Sequence, residues 1–323
     1  MERYIHQITF IGEAEQKKLG SAHIMVVGLG AIGSVAAELL VRAGIGSVTL
    51  IDHDIVELSN LQRQSLYDEL DMGKPKALAA EIKLKIINSD ANIKAYAAHL
   101  DEINMKLLDA DVVLDCTDNL ETRFLINEYC LKHKIKWVHS AAAGAIGVVL
   151  PITSNYCFAC VYGHALKAMT CDDAGILNTA SHMTASVLVT QALKIILDKD
   201  ATTGLIRFNV WQNTFDIIKV KKDASCGVCT GAVLKKDTMF EFTVARCKTR
   251  AAYSAKPNKQ VKLDFAAIKK KYETLLDTPI VVVIKIDGVE IIVHSYGELV
   301  FKEFYDEVKV REIAALIYRT GGL

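Results

Sequence analysis

Gly28-Leu29-Gly30-Ala31-Ile32-Gly33 spells G-x-G-x-x-G, the spacing of a phosphate cradle. Glycines let the main chain approach an anion, and the helix that follows aims its unpaired N–H groups at it. Asp52 follows at about the distance where an acid takes ribose hydroxyls. Alone, this fingerprint favours a nicotinamide dinucleotide, and a glycine-rich turn without ligand is the bland alternative. The next segments shift that balance. Ser59-Asn60-Leu61-Gln62-Arg63-Gln64 and Gly73-Lys74-Pro75-Lys76 place polar and cationic groups soon after the ribose acid. A dinucleotide carries one charge on each phosphate, whereas ATP carries a triphosphate tail. Arg63, by its fork, and Lys76, as a point charge, suit such a tail. In Asp115-Cys116-Thr117-Asp118-Asn119, Asp118 can hold Mg²⁺ against the phosphates. Taken singly, each of these residues reads equally well as a solvated charge or a helix cap; their order along the chain argues against coincidence.

Metal chemistry is the second candidate. Cys157-Phe158-Ala159-Cys160 and Cys226-Gly227-Val228-Cys229 are two C-x-x-C pairs. Four thiolates make a closed tetrahedral Zn²⁺ site with no position left for water. The pairs stand 65 residues apart, so the spacing alone yields two half-sites. A redox C-x-x-C is the rival reading, but neither pair begins a helix after a first strand. Cys116, Cys130 and Cys247 have no partner at metal spacing and read as packing residues.

These groups meet only if the chain folds their segments onto one edge. Residues 23–28 form an apolar run, residues 31–42 carry helical spacing, and Ser47–Ile51 is apolar again: strand, helix, strand. Ile93–Ala97 and Val112–Asp115 read as strands, Lys74–Ile87 and Asn119–His133 as helices. The alternation predicts a mostly parallel, doubly wound α/β sheet. An apolar, glycine-broken stretch covers 137–151, Ser181–Leu197 predicts a long helix capped by Ser181, and Leu205–Trp211 and Phe215–Val220 are rich in β-formers. After Gly231 the character changes. Val281–Ile286 and Ile291–His294 flank Asp287-Gly288, a hairpin signal, and Glu307–Tyr318 reads as a final helix. The expected division is a nucleotide-binding domain over 1–231 and a small α+β domain of unread role over 232–323.

The ordered motifs resemble the ThiF/MoeB/HesA family, whose fold is shared with ubiquitin-activating enzymes, from about Arg3 to Cys229. The residues carrying the likeness are Asp52-x-Asp54, Ser59–Gln64, Asp115–Asn119 with Arg123, and the two cysteine pairs. The resemblance implies a Rossmann-like mixed sheet with a zinc-stabilised lobe and a homodimer with one ATP site per subunit. It implies adenylation of the C-terminal carboxylate of a small ubiquitin-like or sulfur-carrier protein, with release of pyrophosphate. By the same resemblance Gly28, Gly30 and Gly33 pass close to the ATP phosphates and Asp52, with Asp54 near it, binds ribose. Asn60, Arg63 and Lys76 contact phosphates, and Asp118, followed by Asn119, holds Mg²⁺. Cys171 matches in position the cysteine of a Cys-x-x-Ala-Gly segment and could take the activated acyl group as a thioester or acyl disulfide, although the acids Asp172 and Asp173 beside it would disfavour the thiolate. Activators of the UFM type share Cys-Phe-Ala-Cys, but their reactive cysteine falls where this chain has Ile176-Leu177. Two departures stand out. His6 occupies the place of an arginine that reaches a partner's ATP site, and Ala31 replaces a glycine of the phosphate loop.

Bulk charge excludes some classes. Lys+Arg and Asp+Glu balance at 38 each, which gives the whole molecule no electrostatic pull toward nucleic acid or acidic membrane. One stretch departs from this: nine basic residues lie between Arg246 and Lys271 against the single acid Asp264. It keeps open a rival substrate, a carboxylate on a modified tRNA nucleoside, and the departures at His6 and Ala31 keep open a non-catalytic nucleotide-binding scaffold. No apolar run reaches membrane-spanning length and MERYIHQITF lacks a leader pattern, so a cytoplasmic protein is expected. Gly321-Gly322 near the end reads as helix termination.

Overall fold

The computed structural model describes residues 2–101, 104–153, 156–163, 175–229, 242–247, 252–257, 261–302, 304 and 306–322. Two compact units emerge. One holds the described residues up to Asp52 and from Val56 through Cys229 apart from Gly175; the other holds His53–Ile55, Gly175 and the described residues from Phe242 onward.

In the first unit, α1 (Ile5–Ile11) and α2 (Glu13–Ser21) precede β1 (His23–Val27), α3 (Gly33–Ala43), β2 (Ser47–Asp52), α4 (Lys76–Ile87), β3 (Asn92–Ala97), β4 (Val112–Asp115) and α5 (Leu120–His133). There follow β5 (Lys136–Ala143), β6 (Ile146–Ile152), α6 (Phe158–Tyr162), α7 (Asn178–Ile196), β7 (Leu205–Asn209) and β8 (Thr214–Ile218). The strands form one eight-stranded sheet in the order β3-β2-β1-β4-β5-β6-β7-β8. It is parallel from β3 through β5 and antiparallel beyond. The doubly wound parallel part is what the alternation of patterns predicts, and the antiparallel strands β6–β8 make the sheet mixed, as the family resemblance implies.

Alternation along β1 explains the apolar run 23–28. Ile24 and Val26 face one core with Leu40 of α3, Leu84 of α4 and Leu188 of α7. Met25 and Val27 face a second core with Ile126 and Cys130 of α5, Trp137 and Phe158. A strand covered on both faces has no polar position to alternate with. Cys130 lies fully buried there as a packing residue, as expected.

One cap differs from expectation. α7 begins at Asn178, not Ser181, whose hydroxyl donates to the Asn178 carbonyl at 2.8 Å inside the first turn while its side chain is buried. Leu177 N bonds Gly144 O at 2.9 Å and fixes the entry to the helix.

The second unit carries β9 (Phe242–Cys247), β10 (Ala252–Pro257), α8 (Phe265–Lys271), β11 (Glu273–Asp277), β12 (Val281–Ile286), β13 (Val289–His294), β14 (Leu299–Lys302) and α9 (Glu307–Thr320). Its antiparallel sheet runs β11-β12-β13-β14-β10-β9. Val282, Ile284, Ile291, Val293 and Phe301 pack with Ile268 of α8 and Val310 and Ile317 of α9. Asp287 and Gly288 both take positive φ, 50° and 83°, as a two-residue hairpin turn requires. Lys269, Lys270 and Lys271 of the basic stretch fall in the last turn of α8, where cations complement the helix dipole, and Lys269 pairs with Asp277 at 2.7 Å.

Candidate nucleotide site and cysteine cluster

Strand order reverses direction between β1 and β4, since β2 and β3 lie to one side of β1 and β4 and β5 to the other. In open α/β sheets the crevice at such a switch point takes the ligand, outside the carboxyl ends of the strands. The loop after β1 is Gly28–Ile32; the loop after β4 is Cys116–Asn119.

These two loops touch through the absence of a side chain. Gly28 has φ +86°, and a Cβ there would sit 2.8 Å from the Cys116 carbonyl oxygen and 3.2 Å from Thr117 N. A Cβ on Gly33 would fall 1.8 Å from the Gly28 carbonyl oxygen. Both glycines are therefore demanded by the fold itself. Gly30 is different: among the described residues a Cβ there would meet nothing nearer than Gln64 Nε2 at 3.8 Å. Packing among the described residues gives no reason for glycine at 30, whereas a closely approaching ligand does.

The remaining segments are tied to this loop. Asp52, buried at the end of β2, accepts a hydrogen bond from Leu29 N at 2.6 Å through Oδ2. Tyr67 donates its hydroxyl to Leu29 O at 3.1 Å and lies 3.3 Å from Lys76 O, which brings the first residue of α4 to the same place. Lys76 is 3% exposed. The excursion from Val56 to Lys74 closes on itself through Val56 N to Lys74 O and Gly73 N to Val56 O, each 2.9 Å. Within it Asn60 is buried in a short 3₁₀ turn (Leu58–Asn60), its Oδ1 accepting from Glu57 N at 3.2 Å. Arg63 Nη1 donates to Ser59 O at 2.8 Å. Gln64 is buried, and its Oε1 has no partner among the described residues. Gln64 carried no role in the sequence reading; its only signal was its place at the end of Ser59–Gln64.

On the β4 side, Asp118 is exposed. Asn119 caps α5, its Oδ1 accepting from Thr122 N at 2.9 Å. Cys116 is buried, and burial with the Asp115 carboxylate beside it drives its thiol far above the ordinary range, in keeping with a packing role. Asp54 groups with the second unit and lies 3.5 Å from its neighbour His53 Nε2. Of the N-terminal residues, Arg3 Nη1 donates to Ile87 O at 3.0 Å, and His6 is exposed on α1. Cys171 lies outside the described residues, and the side chain of Cys247 is likewise not described.

The two C-x-x-C pairs converge. Cys157–Cys160 and Cys157–Cys226 Sγ atoms are 3.7 Å apart, Cys160–Cys229 3.6 Å and Cys157–Cys229 3.3 Å. These separations exceed a disulfide bond of about 2.05 Å. They approach the edge of about 3.8 Å expected for a tetrahedron of thiolates bonded at about 2.3 Å. Cys157 is the N-cap of α6 and Cys160 lies on it, and Asn127 on α5 fixes the start of α6 by accepting from Phe158 N at 2.8 Å.

A family-wide comparison matches residues 3–228 to the ThiF family. The chain belongs to the ThiF family. It is 38% identical over 264 residues to the sulfur carrier protein ThiS adenylyltransferase of Bacillus subtilis (strain 168), covering 77% of this chain and 76% of that protein. It is 33% identical to the molybdopterin-synthase adenylyltransferase of Escherichia coli (strain K12), covering 71% of this chain and 96% of the relative. The SAMP-activating enzyme E1 of Haloferax volcanii is 30% identical, over 71% of this chain and 88% of its own. Among solved structures, E. coli MccB with succinimide superposes with a TM-score of 0.63 at 21% identity, covering 70% of this chain and 74% of that one, which is a likeness of fold. No described helix of this ThiF-family chain is long and apolar enough to cross a membrane.

Proposed function

We propose that this ThiF-family protein uses ATP to adenylate the C-terminal carboxylate of a small ubiquitin-like or sulfur-carrier protein. The observation that carries the reading is the convergence of Asp52, Gln64, Lys76 and the Cys116–Asn119 loop on the Gly28–Gly33 loop, at a glycine, Gly30, where a side chain would meet only Gln64 Nε2 at 3.8 Å among the described residues. The names of the B. subtilis, H. volcanii and E. coli relatives support the substrate class.

In this reading Gly30 lets the triphosphate approach the main chain, Asp52 takes ribose, and Arg63, Lys76 and Asn60 bind phosphate oxygens. Asp118 holds Mg²⁺ against the phosphates, beside Asn119. A carboxylate oxygen of the carrier forms a bond to the α-phosphorus. The bond to the bridging oxygen breaks, and pyrophosphate leaves with the electron pair. The cations stabilise the charge that builds on the departing phosphates. The product is an acyl-adenylate, whose AMP is a good leaving group. Cys171 would accept the acyl group next.

The four cysteines would hold Zn²⁺ in a closed structural site with no open coordination position. The chain would act as a homodimer. On α4, Leu78, Ile82 and Ile86 recur at i, i+4 and i+8, and Ile82 and Ile86 are 60% and 80% exposed, so one helix face offers an apolar stripe. Residues 1–231 would form the adenylation domain and 232–323 a small α+β domain of separate role.

Native mass spectrometry of the full chain, incubated with Mg-ATP and a carrier ending in a free carboxylate, tests these points together. The expected spectrum shows a dimer with one zinc per chain and a carrier heavier by AMP less water. A carrier of unchanged mass with every candidate supplied would refute the function.

A further inference from the structure

Beneath the Cys116–Asn119 loop lies a buried polar cluster to which the proposed function assigns no role. Asp115, the last residue of β4, is fully buried. Its Oδ1 accepts from Thr117 N at 3.0 Å and from the Thr117 hydroxyl at 2.6 Å. Its Oδ2 accepts from His139 Nδ1 at 2.6 Å and lies 3.7 Å from Arg123 Nε. Arg123 Nη2 in turn donates to Thr117 O, and Ser140 donates its hydroxyl to Asp115 O at 2.8 Å. His139 and Arg123 are themselves buried, on β5 and α5.

The result is a residue, Thr117, whose N–H and C=O are both held by one buried ion pair. The Thr117 carbonyl shares a rigid peptide plane with Asp118 N. Fixing that carbonyl fixes the N–Cα bond of Asp118, Asn119 on the other side is fixed as the cap of α5, and the two constraints together limit the direction in which the Asp118 side chain departs. Asp118 is thus an exposed carboxylate between two clamped positions. His139 is oriented in its turn by the rings of Phe158 and Tyr162, at 4.9 and 5.5 Å between centroids.

We propose that Asp115, Arg123 and His139 are positioning residues that aim the Asp118 carboxylate at the divalent cation of Mg-ATP. A buried ion pair is a poor device for stability alone, because desolvation offsets most of its attraction. Partners behind a metal-binding carboxylate, by contrast, set its orientation. Burial lowers the pKa of His139. The neutral ring therefore serves as an Nδ1–H donor and leaves the Asp115 carboxylate ionised.

The inference rests on the reading of the nucleotide site given above, and its test separates the two. ATP affinity of the full chain is measured by calorimetry with and without Mg²⁺ for the native protein, Arg123→Lys, His139→Ala and His139→Asn. Lysine keeps the charge of Arg123 but not the fork that reaches Thr117 O. Asparagine can place an amide donor near the position of Nδ1. In Arg123→Lys and His139→Ala the gain in affinity conferred by Mg²⁺ falls about tenfold, the scale of partners behind a metal ligand. Metal-free affinity stays within about twofold in the same variants, and His139→Asn recovers the gain. An undiminished Mg²⁺ effect in folded variants, or a parallel loss of metal-free affinity, overturns the positioning role while leaving the ATP site intact. If His139→Ala does not fold, Arg123→Lys decides by the same criterion. A native chain that binds no ATP at all overturns both.

Discussion

Three glycines of one loop serve two different ends. A methyl group on Gly33 collides with the Gly28 carbonyl at 1.8 Å, whereas on Gly30 it reaches nothing among the described residues closer than 3.8 Å. Gly33→Ala therefore disrupts the fold, read as loss of a cooperative thermal transition. Gly30→Ala leaves Tm within about 2 °C and weakens ATP binding about tenfold, since the methyl occupies the space where phosphate approaches main chain. If Gly30→Ala binds ATP as the native chain does, the loop is not the phosphate cradle. The loop was legible in the sequence because its glycines keep a fixed spacing. Asp52 was legible from its place at a strand end. Gln64 and His139 were not, because a single buried glutamine or histidine has no spacing signature. The groups beside them, the Gly30 turn and Asp115, come from other segments that only the fold brings near.

Elements with strong periodicity were read well, and the reason lies in burial. β4 matches its expected span, Val112–Asp115, because all four residues are buried. α8 and strands β9, β10, β11 and β14 were not foreseen. α8 has only seven residues, too few to repeat a period, and its last turn is lysine. The start of α7 was misplaced at Ser181 because serine is a good cap by type. The Leu177–Gly144 backbone bond sets the entry instead. Asn119 is the converse case, a residue read through a nucleotide motif whose Oδ1 caps α5. Asn119→Ala should lower stability by about 1 kcal/mol in urea unfolding, while Asn119→Asp, which keeps the acceptor, should lose little. Equal stability of all three chains would remove the cap from the account.

At the scale of the molecule, topology assembles what the sequence left divided. The cysteine pairs, 65 residues apart, were two half-sites by spacing. α7 and the β7–β8 hairpin return the chain so that Cys226 and Cys229 meet Cys157 and Cys160. The reversal of strand order between β1 and β4 likewise brings the glycine loop against the aspartate loop. Net charge, balanced at 38 against 38, carried none of this, because binding here depends on a few placed groups. The central claim is that those groups grip the triphosphate and release pyrophosphate. Exchange of labelled pyrophosphate into ATP, in the presence of a carrier with a free C-terminal carboxylate, tests it most directly. The native chain should exchange, and Arg63→Ala and Lys76→Met should each slow exchange by about a hundredfold or more. Exchange that persists undiminished when both cations are replaced, or a native chain that exchanges nothing and binds NAD more tightly than Mg-ATP, would contradict the account.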